Sequence, residues 1–547
     1  MRIHTGEEKE QVEMKKRVLA ILAYFVVGFI GAAAYPPVSG NWPLIAIAAQ
    51  SLWFSYMLFM IEDAKSAKAA FIRAWGLGVL KYSISLSWIL YVFQFWGEQV
   101  ESFGPFVFLG LCIFLALFIG VVGATTHKAP TPKRYIAFAI IFTLVEWSRN
   151  WAFSGFPWNP ASLVWSGWAV MYQTVSLFGT FGLTFVTVLT LTTPYLVYRQ
   201  GKKFLKSRMC HAIAAVFFST LAFGIYNVRR VEKLAGSSGF TVRLVNANFQ
   251  QAQRGRVFDD IIEYIRLSRR RGWWDIDLFV WPESAIPKRF EVGGDIESIL
   301  AGINNEKSHL VAGDDRIESL SDVEFNIYNS MVFINNGGVV EIYDKRQLVP
   351  FGEYMPGFMR ILPYFEKFVA GPKDFSRGQR GMKVALGGGM VAYPLVCYEI
   401  VFPGLRLGRD VDFILNILNE EWFGELEKHQ SLDISRLRAV EEGMSVVRVA
   451  NLGFSAVISP TGRLVMGEKV FEDSRRGRAD LLVDAAVLDV EVPNRVDPTL
   501  FSVTGNYPLV MLLSFWLLWI FWPTSAPDRG IKEGKGKKMK KRMLTKK

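Results

Sequence analysis

Long apolar stretches constrain this chain more than any other feature, because most of them approach the roughly 20 residues needed to cross a bilayer core. Hydrophobic residues make up 51% of the 547 positions, which is too apolar for an ordinary soluble protein of this size. The sequence therefore predicts a multi-pass helical membrane bundle of about eight spans, at 17–35, 44–61, 74–93, 105–122, 136–153, 169–196, 209–226 and 508–522.

The loops between these spans predict their orientation, because Lys and Arg residues stay on the cytoplasmic side of a membrane. Two classes of loop alternate along the chain. Lys and Arg cluster in 1–16, 62–73, 125–134 and 199–208, and neither residue occurs in 36–43, 94–104 and 154–168. The N-terminus is therefore predicted to be cytoplasmic.

This orientation divides the chain into four regions. Transmembrane helices 1 to 7 occupy 1–226, an extracytoplasmic domain occupies 227–506, an eighth transmembrane helix occupies 507–523, and a basic cytoplasmic tail occupies 524–547. We interpret the tail as a solvated segment beside anionic lipid headgroups, which accounts for part of the net charge of +12. It lacks the aromatic interleaving of a nucleic-acid-binding arm, so no nucleic acid partner is predicted.

The predicted extracytoplasmic region lacks long apolar stretches and instead has short β-rich runs, separated by turns and two helical stretches. This mixture predicts a layered α/β domain that is long enough to bury its own core. Helices are expected at 258–271 and 430–447, the second with Val447 at the end of its apolar stripe. Strands are expected at 241–249, 277–284, 309–314, 329–334, 338–344, 390–399, 412–419, 455–460 and 479–487.

Three predicted strand ends carry side chains of reactive type, namely Glu283, Lys345 and Cys397. Each alone is typical of solvated surface or of a buried apolar strand. Together they form a complete set for acyl transfer, because a thiolate attacks carbonyls, an ammonium group lowers the thiol pKa and balances an oxyanion, and a carboxylate shuttles the proton. Cys397 is also the only cysteine outside the predicted spans, so it has no disulfide partner in its compartment.

The segments around these three residues resemble the nitrilase, or carbon–nitrogen hydrolase, superfamily. They read WPES at Glu283, KRQLVPFGE from Lys345 and CYE at Cys397, and the stretch 438–462 is similar to a later segment of that superfamily. The membrane spans, a GFPW loop at 155–158 and SVTGNYPL before the last span narrow the resemblance to the bacterial apolipoprotein N-acyltransferase family.

This resemblance implies an αββα sandwich on a bundle of eight helices, at the outer face of the cytoplasmic membrane of a bacterium. It implies a ping-pong reaction in which Cys397 takes an acyl chain from a phospholipid as a thioester. The chain then passes to the α-amino group of the S-diacylglyceryl cysteine that begins a lipoprotein. Glu283 would be the general base and acid, and Lys345 the cation that stabilises the oxyanion.

Three further residues are assigned by the same resemblance. Glu353 and Glu399 match carboxylates that support the lysine and the acid–base step, and Tyr398 flanks the nucleophile. For all three, surface charge or core packing is an alternative explanation. The implied partners are a phospholipid donor, a diacylated lipoprotein acceptor and the bilayer, with a monomer favoured as the oligomeric state.

Two aromatic-rich segments are candidates for contact with lipid, since both substrates are lipids. The segment 355–371 is interpreted either as a lid that dips into the outer leaflet or as ordinary core. Trp422 and Phe423 form a second candidate anchor. Two departures from the family pattern accompany them: 245–258 lacks the expected tryptophan, and Asn419, Glu420 and Glu421 precede the Trp-Phe pair in place of Asn-Asp.

Two other functions remain open at this stage. A membrane-tethered amidase or nitrilase-type hydrolase would form the same thioester and release it to water. A transporter or receptor would bind a ligand without chemistry, but it leaves the Glu, Lys and Cys set unexplained. No Cys/His ligand cluster and no glycine loop of nucleotide-binding spacing is present, so neither a metal nor a cofactor is predicted.

Overall fold

The computed structural model describes residues 6–96, 98–249, 257–286, 292–321, 324–357, 373–379, 381–465, 469–472 and 485–522. Within these ranges the chain forms a helical bundle followed by an α/β domain, and the last helix returns to pack against the bundle. The predicted basic tail at 524–547 and the larger part of the candidate lid, 358–371, lie outside the described residues.

The described helices follow the apolar stretches, and their first turns carry the expected signals. Pro43 occupies the first turn of one helix, and the Ser66 and Ser207 hydroxyls each accept a backbone N–H bond at the start of two others. In chain order they are α1 (Gly6–Ile30), α2 (Val38–Asn41), α3 (Pro43–Glu62), α4 (Ala67–Ser85), α5 (Glu98–Lys128), α6 (Arg134–Ser148), α7 (Ala169–Tyr172), α8 (Val175–Leu191), α9 (Thr193–Gln200), α10 (Lys202–Leu205), α11 (Arg208–Leu234), α12 (Val257–Ser268), α13 (Asp295–Ala301), α14 (Glu425–Glu442), α15 (Leu500–Thr504) and α16 (Tyr507–Phe521).

Five helical segments in the described part of the chain are long and apolar enough to cross a membrane. A sixth arises if α4 and the 3₁₀ segment that follows it, which are bent by 53° relative to each other, count as one span. The expected spans at 136–153 and 508–522 are instead the 15-residue helices α6 and α16. The sequence count of eight therefore exceeds the number of long spans in the structure.

The end of α6 explains why the predicted span at 136–153 is too long. A hydropathy window averages side chains and is blind to backbone direction. Here Phe153, Ser154 and Gly155 take positive φ angles of 54°, 79° and 84°, which no helix accommodates. Helix α6 ends at Ser148, Trp151 leaves the helical range with φ −136°, and the left-handed residues 153–155 prevent the predicted span from continuing as a helix.

Two β-sheets form the core of the C-terminal domain. The first has the strand order β12-β13-β1-β2-β3-β4-β5 and the second has the order β11-β10-β9-β8-β7-β6. Parallel pairs β1–β2–β3 and β7–β8–β9 lie near the middle, and antiparallel strands flank them. The strands are β1 (Ser237–Val245), β2 (Leu278–Val280), β3 (His309–Ser319), β4 (Phe325–Asn335), β5 (Gly338–Asp344), β6 (Val384–Ala385), β7 (Val391–Val396), β8 (Phe413–Asn419), β9 (Ser445–Asn451), β10 (Ala456–Ile458), β11 (Leu464–Val465), β12 (Lys469–Glu472) and β13 (Ala485–Pro493).

Alternating side chains place the two sheets face to face with helices outside. In β8, Phe413 and Leu415 enter the apolar layer between the sheets, whereas Ile414 faces α14 and the bundle. Helices α12 and α13 cover the outer face of the first sheet. The layers are therefore α, β, β and α, and α14 lies between the second sheet and the membrane helices.

The predicted helix at 430–447 is wrong at its C-terminal end. Helix α14 stops at Glu442 because Gly443 takes a left-handed conformation with φ 70°, which is the usual way to end a helix. The chain then enters β9, where Val447 faces the layer between the sheets.

Candidate active site

The three residues of reactive type follow the ends of three different strands. Glu283 comes after β2, Lys345 directly after β5 and Cys397 directly after β7. These strand ends meet where the two sheets face each other. Lys345 Nζ lies 4.0 Å from Glu283 Oε1, and the charges of both residues act on the Cys397 thiol.

Cys397 opens a 3₁₀ turn, Cys397–Val401, and has φ 53°. A left-handed conformation is uncommon for a residue with a side chain, and such strain is typical of functional positions. Burial raises the pKa of the thiol well above its usual value, and the Glu283 carboxylate acts in the same direction, while Lys345 opposes both. The thiol is therefore protonated at neutral pH, and a base would have to remove its proton to form a thiolate.

Lys345 is a buried cation with a carboxylate partner. Its Nζ donates a hydrogen bond to Glu353 Oε1 at 2.8 Å, and only 1% of the residue is exposed. Burial would lower the pKa of Lys345, but the charges of Glu353, Cys397 and Glu283 outweigh it and raise the pKa. The ammonium group is therefore present at neutral pH and is available to balance a negative charge at Cys397.

Glu283 is a buried carboxylate held by two donors. Its Oε1 accepts from Asn329 Nδ2 and its Oε2 from the backbone N–H of Asn419, both at 2.7 Å. Burial raises its pKa above the usual carboxyl value, while Lys345 and the Asn329 hydrogen bond pull that pKa down. A carboxyl group with a raised pKa and a hydrogen bond to the neighbouring thiol suits a proton shuttle.

Asn329 is a component of this cluster that sequence reasoning missed. Its Nδ2 donates to Glu283 Oε1 at 2.7 Å and to Glu353 Oε1 at 3.0 Å, and its backbone carbonyl accepts from the backbone N–H of Lys345 at 2.8 Å. One side chain therefore fixes both carboxylates. The available signal was an amide at the start of a predicted buried strand, 329–334, where an apolar residue is expected.

Glu399 lies beside this cluster and holds its backbone. Its carboxylate accepts from the backbone N–H groups of Arg346 (2.9 Å), Gln347 (3.1 Å) and Val396 (2.8 Å), and from the Tyr343 hydroxyl. Through these hydrogen bonds, Glu399 links the segment after Lys345 to the turn that begins with Cys397. Its contacts are those of a positioning residue, whereas Glu353 touches Lys345 directly.

Tyr398 points away from the cluster and into the GFPW loop of the membrane bundle. Its hydroxyl donates to Gly155 O at 3.0 Å, and its ring is stacked on Trp158 at 6.5 Å. Gln347 and Tyr354, from the segment after Lys345, both bind Ser154 of the same loop. The turn that begins with Cys397 therefore packs directly against the helical bundle.

Trp422 and Phe423 also face the bundle. Phe423 packs edge-on against Trp88 at 5.1 Å, and Trp422 packs against Phe95 at 5.0 Å, both in the 3₁₀ segment Ser87–Trp96. In the structure these rings therefore join the two domains. Among the described residues, no group of three or more His, Cys, Asp or Glu side chains is placed to hold a metal ion.

Comparison with known proteins agrees with this two-part architecture. A family model described as "Apolipoprotein N-acyltransferase N-terminal domain" matches residues 27–192, and one described as "Carbon-nitrogen hydrolase" matches residues 241–474. Among solved structures, a glutamine-dependent NAD+ synthetase from Acinetobacter baumannii covers 47% of each chain at 14% identity, with a TM-score of 0.32, which is too low to carry an argument.

Curated relatives match over nearly the full length. A protein named apolipoprotein N-acyltransferase from Rhizobium rhizogenes is 32% identical over 84% of this chain and 90% of its own length. One of the same name from Rickettsia typhi is 30% identical over 85% of this chain and 92% of its own. Because family models match both halves and these relatives align over more than four fifths of both chains, this chain belongs to the apolipoprotein N-acyltransferase family.

Proposed function

We propose that this protein transfers a fatty acyl chain from a phospholipid, through a thioester on Cys397, to the α-amino group of a lipoprotein's N-terminal S-diacylglyceryl cysteine. The observation that carries the proposal is the convergence of Glu283, Lys345 and Cys397 in one buried cluster seated on the membrane bundle. Membership of the family supports both the chemistry and the lipid nature of the two substrates.

In the first half-reaction, Glu283 takes the proton of the Cys397 thiol as the sulfur attacks an ester carbonyl of the phospholipid. A carbon–sulfur bond forms, and the Lys345 ammonium balances the oxyanion of the tetrahedral intermediate. The carbon–oxygen bond to glycerol then breaks. Glu283 returns the proton to that oxygen, and a lysophospholipid leaves.

In the second half-reaction, the neutral α-amine of the acceptor attacks the thioester carbon. A carbon–nitrogen bond forms, the carbon–sulfur bond breaks, and the amine proton passes through Glu283 to the sulfur. Glu353 holds the Lys345 ammonium throughout, and Asn329 keeps the carboxylates of Glu283 and Glu353 in place. Glu399 and Tyr398 position the turn that carries the nucleophile.

The arrangement in the membrane is part of the same proposal. The alternating basic loops support a cytoplasmic N-terminus, and α6 and α16 supplement the longer helices to give eight crossings. The catalytic domain, 227–506, then faces the outer side of a bacterial inner membrane as a monomer, and 507–523 returns the chain to the cytoplasm. A reporter that is active only in the cytoplasm, fused after residue 547, should be active, and one inserted near 389 should not.

Intact-mass analysis of the full-length protein tests the chemistry. After incubation with a diacyl phospholipid in detergent, the wild type should gain the mass of one acyl chain, and Cys397→Ser should not. Cys210→Ser is the matched control, because this thiol is also partly buried but lies in α11, and it should keep the adduct. Absence of an adduct with every diacyl phospholipid tried would refute the thioester.

The same assay separates acyl transfer from hydrolysis. A tethered amidase would lose the acyl group to water within the assay, and the adduct would not accumulate. The transferase should keep its adduct until a peptide with an S-diacylglyceryl cysteine and a free α-amino group is added. Loss of the adduct together with a matching gain in peptide mass identifies the acceptor.

A further inference from the structure

Glu427 is a buried carboxylate that the steps above leave without a role. It lies in the first turn of α14, only 3% of it is exposed, and its Oε2 has no hydrogen-bond partner among the residues that the structure describes. A buried carboxylate oxygen without a donor destabilises a fold. A group kept at such a cost is a candidate for a role in binding or catalysis.

The fold directs this part of α14 at the nucleophile. Helix α14 packs against the turn that begins with Cys397. Gln430, one turn further along the helix, accepts a hydrogen bond from Trp158 Nε1 at 2.7 Å, and Trp158 is stacked on Tyr398. The charge of Glu427 also raises the pKa of the Cys397 thiol, so the two groups lie within electrostatic range.

The cations around Glu427 already have other partners. Arg448 is ion-paired with Glu420, whose second oxygen accepts from the backbone N–H of Phe454, and Lys428 pairs with Glu425 at 2.5 Å. Lys345, the cation of the reaction cluster, is bonded to Glu353. A positive group that entered the site would therefore find an acceptor oxygen at Glu427 that no described cation occupies.

We propose that Glu427 receives the α-ammonium group of the lipoprotein acceptor and removes one proton from it before the amine attacks the Cys397 thioester. The inference rests on the function proposed above and adds a second acid–base residue to the second half-reaction. It makes Glu427 specific for the acceptor, since the phospholipid donor brings no amine to be acylated.

The proton count of the reaction gives such a group a defined task. The acceptor arrives as an ammonium ion and must lose one proton to expose a lone pair. That proton goes to Glu427, which releases it to water after the product leaves, and the nitrogen–carbon bond forms as the carbon–sulfur bond breaks. The second proton travels through Glu283 to the sulfur and restores the thiol, so Glu283 cannot also hold the first.

The surroundings of Glu427 suit it to accept this proton. An α-amino group has a pKa of about 8, whereas an ordinary glutamate has a pKa near 4 and is a weak base toward it. Burial raises the pKa of Glu427 well above that value, and the charge of Glu420 adds to the effect, while Arg448, Lys428 and a hydrogen bond from the Ser431 side chain to the carboxylate oppose it. Burial thus reduces the difference between the pKa of the α-ammonium group and the pKa of Glu427. The positive charge of an arriving ammonium group also favours the ionised form of the Glu427 carboxyl group.

The test uses full-length Glu427→Gln in detergent micelles. Dioleoyl phosphatidylglycerol, whose headgroup has no amine, is the donor and a synthetic S-diacylglyceryl-cysteinyl peptide is the acceptor. We expect adduct formation at least as fast as in the wild type, because the substitution removes a charge that raises the pKa of the Cys397 thiol. Transfer to the peptide at pH 7 should be about tenfold to hundredfold slower. The defect should shrink as the pH rises past about 8, where the peptide amine loses its proton unaided.

Hydroxylamine provides the decisive control, because it is uncharged at pH 7 and needs no base to expose its lone pair. It should cleave the acyl-enzyme of Glu427→Gln as fast as that of the wild type. Glu425→Gln, an exposed neighbour in the same helix turn, should transfer normally. The thermal midpoint of Glu427→Gln should equal or exceed that of the wild type, which excludes misfolding.

Two results would overturn the inference. One is transfer to the peptide at the wild-type rate at pH 7 in Glu427→Gln. The other is an equal loss of adduct formation, hydroxylamine cleavage and peptide transfer, which would indicate a structural role only. Failure of the proposed function itself looks different, because the wild-type protein would then form no adduct at all.

Discussion

The side-chain amide of Asn329 donates a hydrogen bond to Glu283 Oε1 at 2.7 Å. The bond stabilises the ionised carboxylate and lowers the pKa of Glu283, against the burial that raises it. We assign Glu283 as the base that deprotonates Cys397, so the strength of this base depends on the hydrogen bond from Asn329.

Removing the Asn329 amide should therefore move the pH profile of acylation. In Asn329→Ala the pKa of Glu283 rises further, so less carboxylate is ionised at pH 7, and the acidic limb of the profile moves to higher pH. We expect adduct formation at pH 7 to slow by about tenfold or more. Asn326→Ala is the control, because it removes an amide that is bonded to Tyr328 on the same strand. The acidic limb of its pH profile should match that of the wild type.

The Lys345–Glu353 pair yields a prediction for both stability and rate. Glu353→Gln removes the charge that holds the pKa of Lys345 up, and burial then disfavours the ammonium group. Leaving a buried cation without its partner costs about 3–5 kcal/mol, of which Glu283 at 4.0 Å offsets a part. Thermal unfolding should show a lower midpoint, and intact-mass time courses should show slower acylation.

The matched control for this pair is Glu318→Gln, because Glu318 is an exposed carboxylate on β3 that lies 4.0 Å from Arg316. Exposed ion pairs contribute little, so both the midpoint and the rate should remain close to the wild-type values. A Glu353→Gln protein with wild-type acylation would show that the Lys345 charge is unnecessary for the oxyanion.

Local sequence patterns predicted the strands and helices of the C-terminal domain better than they predicted the contacts between its side chains. The bounds of β5, 338–344, were predicted residue for residue, because β-branched and aromatic residues follow an Asn-Gly turn there. Strand β9 was missed because the apolar spacing of α14 continues past Gly443, where only the backbone changes direction. Periodicity reports only where apolar side chains lie along the chain. It therefore fails where a backbone φ angle ends a helix, as at Gly443.

The site residues also fall into those that local sequence patterns could predict and those that they could not. Glu283, Lys345 and Cys397 could be proposed from the sequence because reactive residue types stand at predicted strand ends within recognisable motifs. Asn329 and Glu427 carry no such motif, and their importance depends on partners from distant parts of the chain. The C-terminal end of the predicted span at 136–153 was wrong for a related reason, because hydropathy does not register the left-handed backbone at residues 153–155.

Glu442, near the end of α14, should make stability depend on pH. Burial raises its pKa to about 7, while the backbone N–H groups of Leu407 and Arg406 act in the opposite direction. Between pH 4.5 and about 7 the folded state keeps this proton and the unfolded chain has lost it. The contribution of Glu442 to stability is therefore greatest at low pH and declines as the pH rises through this window.

The size of this effect follows from the pKa difference. A raise from 4.5 to about 7 corresponds to on the order of 3 kcal/mol lost across the window. Thermal midpoints measured from pH 5 to pH 8 should fall more steeply for the wild type than for Glu442→Gln, which has no proton to lose. Parallel curves for the two proteins would contradict the assignment.

A break in α8 gives the sharpest test of how the two domains are joined. Gly179 has φ 68°, and Thr180 restarts the helix with its N–H and hydroxyl both donating to Glu441 Oε1 of the catalytic domain at 2.6 Å. A Cβ at Gly179 would be strained by this φ and would collide with the ring of Phe501. Gly179→Ala should therefore destabilise the protein by about 2–4 kcal/mol.

Gly110 is the matched control for Gly179, because it lies within α5 and an added Cβ would meet no atom within 4 Å. Gly110→Ala should be neutral or stabilising by up to about 1 kcal/mol, since alanine favours the helix. Differential scanning fluorimetry of the two variants in the same detergent measures the contrast. Equal midpoints would mean that the break at Gly179 tolerates a side chain, and that the contact with Phe501 does not hold the domains together.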